Sequence, residues 1–597
     1  MSTPRSHSFA KGLFLGDIRE DLLFPYPRLP RNEQEQVSTL LRDLVRLGGE
    51  AIDPRRIDRE ARIPDETLAA LGRLGVFGLS APGELGGLGL STTGACRVLD
   101  QLGAIDGGVA VTVAAHVGLC VGAILQYGTP EQKRRYLPRL CRGEALGAFA
   151  LTEATAGSDA VACRSRADAE AEGFVLSGTK LWVLNGGRAE LFVTFAQTQV
   201  LREGAQADRL TGFLVERGPG LTAGAEESKL GVRGASTTAL YLHDLKVPRS
   251  QILGALGNGQ KVAMETLSRG RLLFGAACLG AARELLRLSV QHATSRRQFG
   301  RLLSTLGMIK DKIARQAVDL YALESTLYLT SGLLDARWHR GGETDCSLEA
   351  AVCKVMASET LDRAARTALQ IAAGCGFRTE YPYERMLRDS HAHMLFPGTN
   401  EVLRCYIALT GLHGPSEQLD KLADAIKYPL RGYGLVVESL FEKVRHATYG
   451  RAQILHHHPR LKKEAVFIED TVEQLAREVD RVLRRHGRVI SEMQYVQRRV
   501  ADVVIDLYAM CATVSRASAA LTARDARYAR GAIGMPEAVG QLDDGERELR
   551  LCMGFCSKAA ARIREALARF AANDDELMKA IADDCSLGRP YPLDAVL

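Results

Sequence analysis

In RDSHAHMLFPGTNEVLR, Arg388 to Arg404, two imidazoles, His391 and His393, stand at alternate positions just before Phe396-Pro397-Gly398. Read as a short extended run, the alternation puts both rings on one face. An imidazole with a pKa of about 6.5 is a candidate proton acceptor, though such residues more often serve as surface or supporting groups. A second stretch, TEATAGSD from Thr152 to Asp159, strings small residues between hydroxyls. Small side chains let backbone N–H groups approach a ligand closely, while Thr152 and Ser158 offer hydroxyls to it. Trp182 stands in an alternating run, where a tryptophan is ordinarily a core residue. The run His456-His457-His458 invites a metal reading, but consecutive side chains splay apart instead of converging. A solvated loop is expected there, and no metal.

These groups need a scaffold, and the length sets its scale. At 597 residues and 64.9 kDa the chain exceeds what one hydrophobic core normally supports, so several domains are expected. Hydrophobic residues at 46% and charged residues at 25% are ordinary for a globular, helix-rich protein. A net charge of +6, spread among helices and not gathered in a block, argues against nucleic-acid binding. The 13 cysteines form no C-x-x-C pair and follow no secretory h-region, which points to reduced core thiols in a cytoplasmic protein. The N-terminus reads as neither signal nor transit peptide, and no apolar run is seen to reach the roughly 18 residues of a membrane helix.

Periodicity divides the chain. An N-terminal extension covers 1–31, and helical spacing dominates 32–149, as in ETLAALGRLGVFGLS. Over 150–256 the period drops to two, with strand-like runs GFVLSGTKLWVLNGG, ELFVTFAQT, LTGFLVERG and TALYLHDLKVP bounded by turn residues. Long amphipathic helical runs return over 257–412 and predict a bundle, and a further helical region fills 413–597. The fold class is therefore mainly α with an inserted β domain.

That order, together with LTEATAGSDA, GTKLWVLNGG, SRRQFG, QIAAGCGF and FPGTNEVLR in sequence, resembles the acyl-CoA dehydrogenase family. The opening SFAKGLFLGDIREDLLFPYP and the tail VQRRVADVVIDLYAMCATVSRAS are similar to its very-long-chain branch, which carries a C-terminal extension. The resemblance implies an N-terminal helical domain, a barrel-like middle β domain, a helical bundle and an added C-terminal helical domain. It implies FAD held by Leu151, Thr152, Gly157, Ser158, Trp182 and the position of Leu184, with Thr399 and Glu401 facing the cofactor. Arg296, Gln298 and Phe299, with Gln370 and Gly374, match residues that reach the cofactor across a subunit interface, which implies a homodimer. Ser158, Arg271, Phe396 and Gly398 match the acyl-CoA side. A fatty acyl-CoA thioester, an electron-transfer flavoprotein and peripheral membrane contact through the GLVVESLF and HHHPRLKKE region are the implied partners.

Three positions depart from the pattern. The family's reaction removes an α-proton by a carboxylate as a β-hydride leaves for the flavin, and the family usually places a Glu just before Gly-Thr. Here that residue is Pro397, with neither a carboxylate nor an N–H for the thioester oxygen. The second base position used in the family, just before Arg271, is Gly270. Where a Ser or Thr usually bonds flavin N5, the chain has Leu184. Ordinary α,β-dehydrogenation is therefore expected to be absent, weak or served by a relocated base, with His393 as a candidate. Flavin chemistry of another kind, or a catalytically silent acyl-CoA-binding or assembly role, are the alternatives.

Overall fold

The computed structural model describes residues 8–202, 205–340, 345–427, 453–529 and 543–588. The 434–441 stretch, GLVVESLF, lies outside them.

Local chemistry sets where helices begin. Helix Pro130–Cys141 opens on a reciprocal cap: Thr129 Oγ1 accepts from the Gln132 N–H at 3.2 Å, and Gln132 Oε1 accepts from the Thr129 N–H at 2.9 Å. Asp106 caps helix Gly107–Ala114 by accepting from the Val109 N–H at 2.9 Å. That helix continues through a widened π segment, Ala115–Val121, into Gly122–Tyr127. The sequence expectation of no membrane-length apolar run is corrected here. Gly107–Tyr127 spans 21 residues at a mean hydropathy of 2.1, but 89% of the apolar window is buried inside the protein, so its greasiness serves the core.

The bundle is built on Gly259–Ser295, Gly307–Arg340, Ser347–Ala372 and Asn400–Lys427. Helix Thr92–Ile105 crosses Gly259–Ser295 at backbone contact. A Cβ on Gly280 would lie 1.6 Å from the Asp100 carbonyl oxygen, so no other residue fits there. One continuous core joins the N-terminal helices, the bundle and the C-terminal helices Lys462–His486, Gln494–Ala529 and Asp544–Ala571. Tyr508 of the C-terminal part is fully buried and bonds Thr330 of the bundle at 2.9 Å. The N-terminal turn is pinned to the same core, with the Ser8 hydroxyl donating to Glu349 at 2.7 Å.

The inserted domain is one eight-stranded sheet. Its strands are β1 Gly147–Ala150, β2 Arg166–Ala169, β3 Gly173–Leu184, β4 Leu191–Arg202, β5 Ala205–Glu216, β6 Leu221–Glu226, β7 Thr237–Pro248 and β8 Ile252–Leu253. The order is β6-β7-β3-β2-β4-β5-β8, with β1 parallel to β4. The alternating sequence runs occupy β3, β4, β5 and β7. Strand alternation builds two interfaces at once. Phe174, Phe192 and Phe213 fill one face, while Val193 and Phe195 of β4 pack against Ile124, Leu137 and Leu140 of the N-terminal helices.

Candidate active site

Helix Tyr383–Leu395 stops at Phe396, whose extended backbone leaves the helical path. Pro397, buried, has no N–H with which to continue a ladder. Gly398 then takes φ +89°, a left-handed setting that disfavours any side chain. Thr399 starts the next helix, its Oγ1 accepting from the Val402 N–H at 3.3 Å. Phe396 packs edge-on against Phe274, with ring centres 5.8 Å apart.

Beneath this turn lies Lys354, only 2% exposed. Its Nζ donates to the carbonyls of Gly398 at 2.7 Å and Met394 at 3.3 Å and to Asn400 Oδ1 at 2.9 Å. Burial draws its pKa down to about 7, with nearby Arg271 acting in the same direction. Sequence reasoning missed this residue, although one cation inside the apolar run AAVCKVMAS was a signal.

Arg271 is buried as well, and its Nε has no hydrogen-bond partner. Its guanidinium lies 5.5 Å over the Tyr406 ring, and Nη1 reaches Ser268 Oγ at 3.4 Å. Nη2 would be 4.0 Å from a Cβ on Gly398. No carboxylate pairs with Arg271 among the described residues, and burial lowers its pKa.

At Gly270 the space is taken. A Cβ there would meet Leu119 Cδ2 at 2.5 Å, and Gly118 lies alongside, its own Cβ position 3.2 Å from the Gly270 Cα. The π segment thus closes over this residue.

The two histidines are separated, correcting the expectation that they share a face. Residues 383–395 form a helix, where an i,i+2 pair points in different directions. His391 is half-exposed beside Asp362 at 3.4 Å. His393 is buried, its Nδ1 unpartnered, and burial with Lys354 pushes its pKa down to about 4, so it is neutral at pH 7. It lines a cavity of about 210 Å³ with Asp106, Arg385 and Asp389.

Around the TEATAGSD loop, Glu153 and Ala156 exchange N–H to carbonyl bonds at 3.1 Å each, closing a tight turn. The Leu181 N–H donates to the Thr152 carbonyl at 2.8 Å, which ties the loop to β3. Leu151 is buried, Thr152 half-buried, and Gly157 and Ser158 exposed; a Cβ on Gly157 would meet nothing within 4 Å. The ordinary core reading of Trp182 is corrected. Between Lys180 and Val183 the register of β3 on β7 shifts, Trp182 takes φ +53°, and the indole emerges 60% exposed. Leu184, two residues on, is half-buried against the main core.

The loop is anchored by Lys180, fully buried, whose Nζ lies 2.6 Å from Glu153 Oε1 and 3.0 Å from Cys163 Sγ. Burial alone would raise the Glu153 pKa, but Lys180, Cys163 and Ser165 bring it down to about 2.

Arg296, Gln298 and Phe299 sit exposed on the hairpin formed by Arg297–Gln298 and Arg301–Leu302, with Phe299 89% exposed. Gln370 and Gly374 are exposed at the end of Ser347–Ala372, near Phe377, itself 85% exposed. Thr399 is half-buried and Glu401 exposed. The histidine run behaves as a loop, its rings going separately to Glu20, the Ile454 carbonyl and Asp525. The structure therefore places Arg271, Pro397 and Gly398 close to Lys354, with Gly270 and Phe396 next to them in the chain; of the remaining candidates His393 and Leu151 are buried, Thr152, Leu184, His391 and Thr399 half-buried, and the other cofactor candidates exposed. Such a turn presents cations and carbonyls, and among the described residues neither Lys354 nor Arg271 is ion-paired with a carboxylate, Glu359 and Glu401 acting on Lys354 only through their charge.

Four family descriptions match in chain order: the acyl-CoA dehydrogenase N-terminal domain over 31–144, the middle domain over 148–245, the C-terminal domain over 257–411, and the ACAD9/ACADV C-terminal domain over 459–531. The very long-chain specific acyl-CoA dehydrogenase of Rattus norvegicus mitochondria is 37% identical over 580 residues, covering 96% of this chain and 85% of the relative. An acyl-CoA dehydrogenase from Bacillus anthracis, solved in complex with FAD, superposes with a TM-score of 0.78 at 26% identity over 98% of this chain and 96% of that one. Butyryl-CoA dehydrogenase from Megasphaera elsdenii gives a TM-score of 0.60 at 31% identity, spanning 64% of this chain and 99% of its own.

Proposed function

The chain belongs to the acyl-CoA dehydrogenase family, and on that premise we propose that it is a homodimeric flavoprotein that binds FAD and a fatty acyl-CoA but dehydrogenates it slowly at best. One observation carries the second half of this reading. Pro397 stands where the resemblance puts one base, Leu119 fills the space beside Gly270 where it puts the other, and among the described residues no carboxylate pairs with the buried Arg271. A general base usually contributes about 10²- to 10⁴-fold. Pro397 also removes an N–H donor from the thioester oxygen, worth about 10²- to 10³-fold more if the effects are independent.

The residues present fit a flavin. Trp182 turns an exposed indole outward beside the tight Glu153–Ala156 turn, where Gly157 leaves open space and Thr152 and Ser158 add hydroxyls. When bound, FAD supplies a hydride acceptor. Leu184 withholds one hydrogen bond from it. Arg296 and Phe299, with Gln370 and Gly374, would complete the site across a dimer, which accounts for aromatic surface left 85–89% exposed at Phe377 and Phe299 in the single chain. Arg271 and the Gly398 turn would orient the thioester, and Lys354 holds that turn in place.

Purified protein is expected to show flavin absorbance and, mixed anaerobically with a long-chain acyl-CoA, a perturbed spectrum with slow bleaching. Colourless protein that cannot be reconstituted overturns the cofactor assignment, and fast bleaching overturns the catalytic one. Arg296→Ala should lower flavin content and dimer fraction together in size-exclusion chromatography.

A further inference from the structure

Inside the β domain, next to the TEATAGSD loop, a thiol, an amine and a carboxylate meet in a buried triangle. Cys163 Sγ is 3.0 Å from Lys180 Nζ and 2.8 Å from Glu153 Oε1, and Nζ is 2.6 Å from the same oxygen. All three are buried, Lys180 completely. Ser165 also donates to Glu153, from its backbone N–H at 3.0 Å and from its hydroxyl. Such contacts do more than hold a strand. They place a nucleophilic sulfur and a primary amine at bonding approach, with a proton acceptor and a proton donor between them.

We propose that Cys163 and Lys180 are a covalent modification site: hydrogen peroxide converts the pair into a sulfenamide cross-link between Sγ and Nζ. In the first step sulfur attacks one peroxide oxygen. An S–O bond forms, the O–O bond breaks, the thiol proton passes to Glu153, and the departing hydroxide takes a proton from the Lys180 ammonium to leave as water. The cysteine is now a sulfenic acid and the lysine a free amine. In the second step Nζ attacks sulfur, the S–O bond breaks, and hydroxide leaves with a proton from nitrogen as the second water. Sulfur has lost two electrons and peroxide has gained them. Two hydrogens are gone from the protein.

The product suits its surroundings. The starting triangle holds a buried ion pair; the cross-linked one holds a neutral sulfenamide and a protonated Glu153, so neither charge is stranded in the interior. Burial holds the Cys163 thiol above its usual pKa, with Lys180 pulling the other way. The reaction is therefore slower than at an exposed thiolate, and the shielded product is slow to be reduced. The link also reaches the candidate cofactor loop. Lys180 Nζ approaches the Leu151 carbonyl at 3.5 Å, and Leu181 bonds Thr152, so drawing Nζ toward sulfur moves the anchor of that loop.

Peptide mass spectrometry of the full-length protein tests this directly. After peroxide treatment and trypsin under non-reducing conditions, peptide 143–164 should appear joined to 167–188, lighter than their sum by two hydrogens and uncut at Lys180. Dithiothreitol should release both and restore cleavage at Lys180. Lys180→Arg keeps the charge without the primary amine and should abolish the joined species, as should Cys163→Ser. Should either variant fail to fold, the wild-type digest alone decides the matter. A Cys163 that stays a thiol, or one that proceeds to sulfinic acid while Lys180 is still cut, overturns the proposal.

Discussion

Two buried lysines hold the two loops of the candidate site, and they are solvated in opposite ways. Lys180 under the TEATAGSD loop faces a carboxylate, Glu153, at 2.6 Å. Lys354 under the Pro397 turn faces carbonyls and one amide oxygen, with Arg271 adding a second buried cation to the same turn. One loop is internally neutral. The other pairs its lysine with no carboxylate among the described residues, and burial, with Arg271 acting the same way, draws the pKa of Lys354 down to about 7 against the weaker opposing pull of Glu359 and Glu401. Buried cations persist where something offsets them, and the proposed reading assigns that part to a negative charge at position 397, which proline does not supply.

The largest effect should come from breaking the neutral loop. Lys180→Met strands Glu153 in the interior and should lower stability by about 3–5 kcal/mol, the usual consequence of removing one member of a buried pair. Lys354→Met strands only neutral acceptors and should lower it by about 1–3 kcal/mol. Urea melts of the two variants read the contrast; equal losses would mean that the two lysines are not differently compensated.

The same lysine predicts a pH dependence. Folded Lys354 has a pKa of about 7, against an unfolded value of about 10.4. Between those limits the unfolded chain holds more protons, so this group's contribution to stability rises with pH over that window. The melting-temperature gap between wild type and Lys354→Met should widen in favour of wild type from neutral to alkaline pH. A constant gap would place the Lys354 pKa near its ordinary value.

Supplying an anion at that position is the sharper test. Pro397→Glu puts a carboxylate and an N–H into the turn and should raise flavin bleaching by a long-chain acyl-CoA at least about tenfold, short of the full 10²- to 10⁴-fold or so because, on the proposed reading, Leu184 offers N5 no hydroxyl. Adding Leu184→Thr should raise it further by a smaller factor, with the pair exceeding the sum of the single changes on a free-energy scale. If wild type already bleaches as fast as the double variant, another base serves it, and His393→Ala is the variant that identifies or dismisses the imidazole.

The sequence by itself determined the class of fold and the order of its parts. Periods of 3.6 and 2 are properties of local backbone geometry, and the ordered motifs from LTEATAGSDA to FPGTNEVLR fixed the family before any contact was known. It also placed proline at position 397 and glycine at 270, because chemical identity needs no folding to be read. What the sequence left open depended on neighbours far along the chain. Trp182 fits an alternating core pattern, yet a bulge against β7 turns it outward. His391 and His393 look paired only if the run is extended; the helix parts them and buries one. Lys354 lies some 40 residues before the turn that it supports, bonding Met394 and Gly398 at separations of 40 and 44. Burial, compensation of charge and the closure of Leu119 over Gly270 are sums over atoms brought together from distant segments, so the tertiary structure decided them.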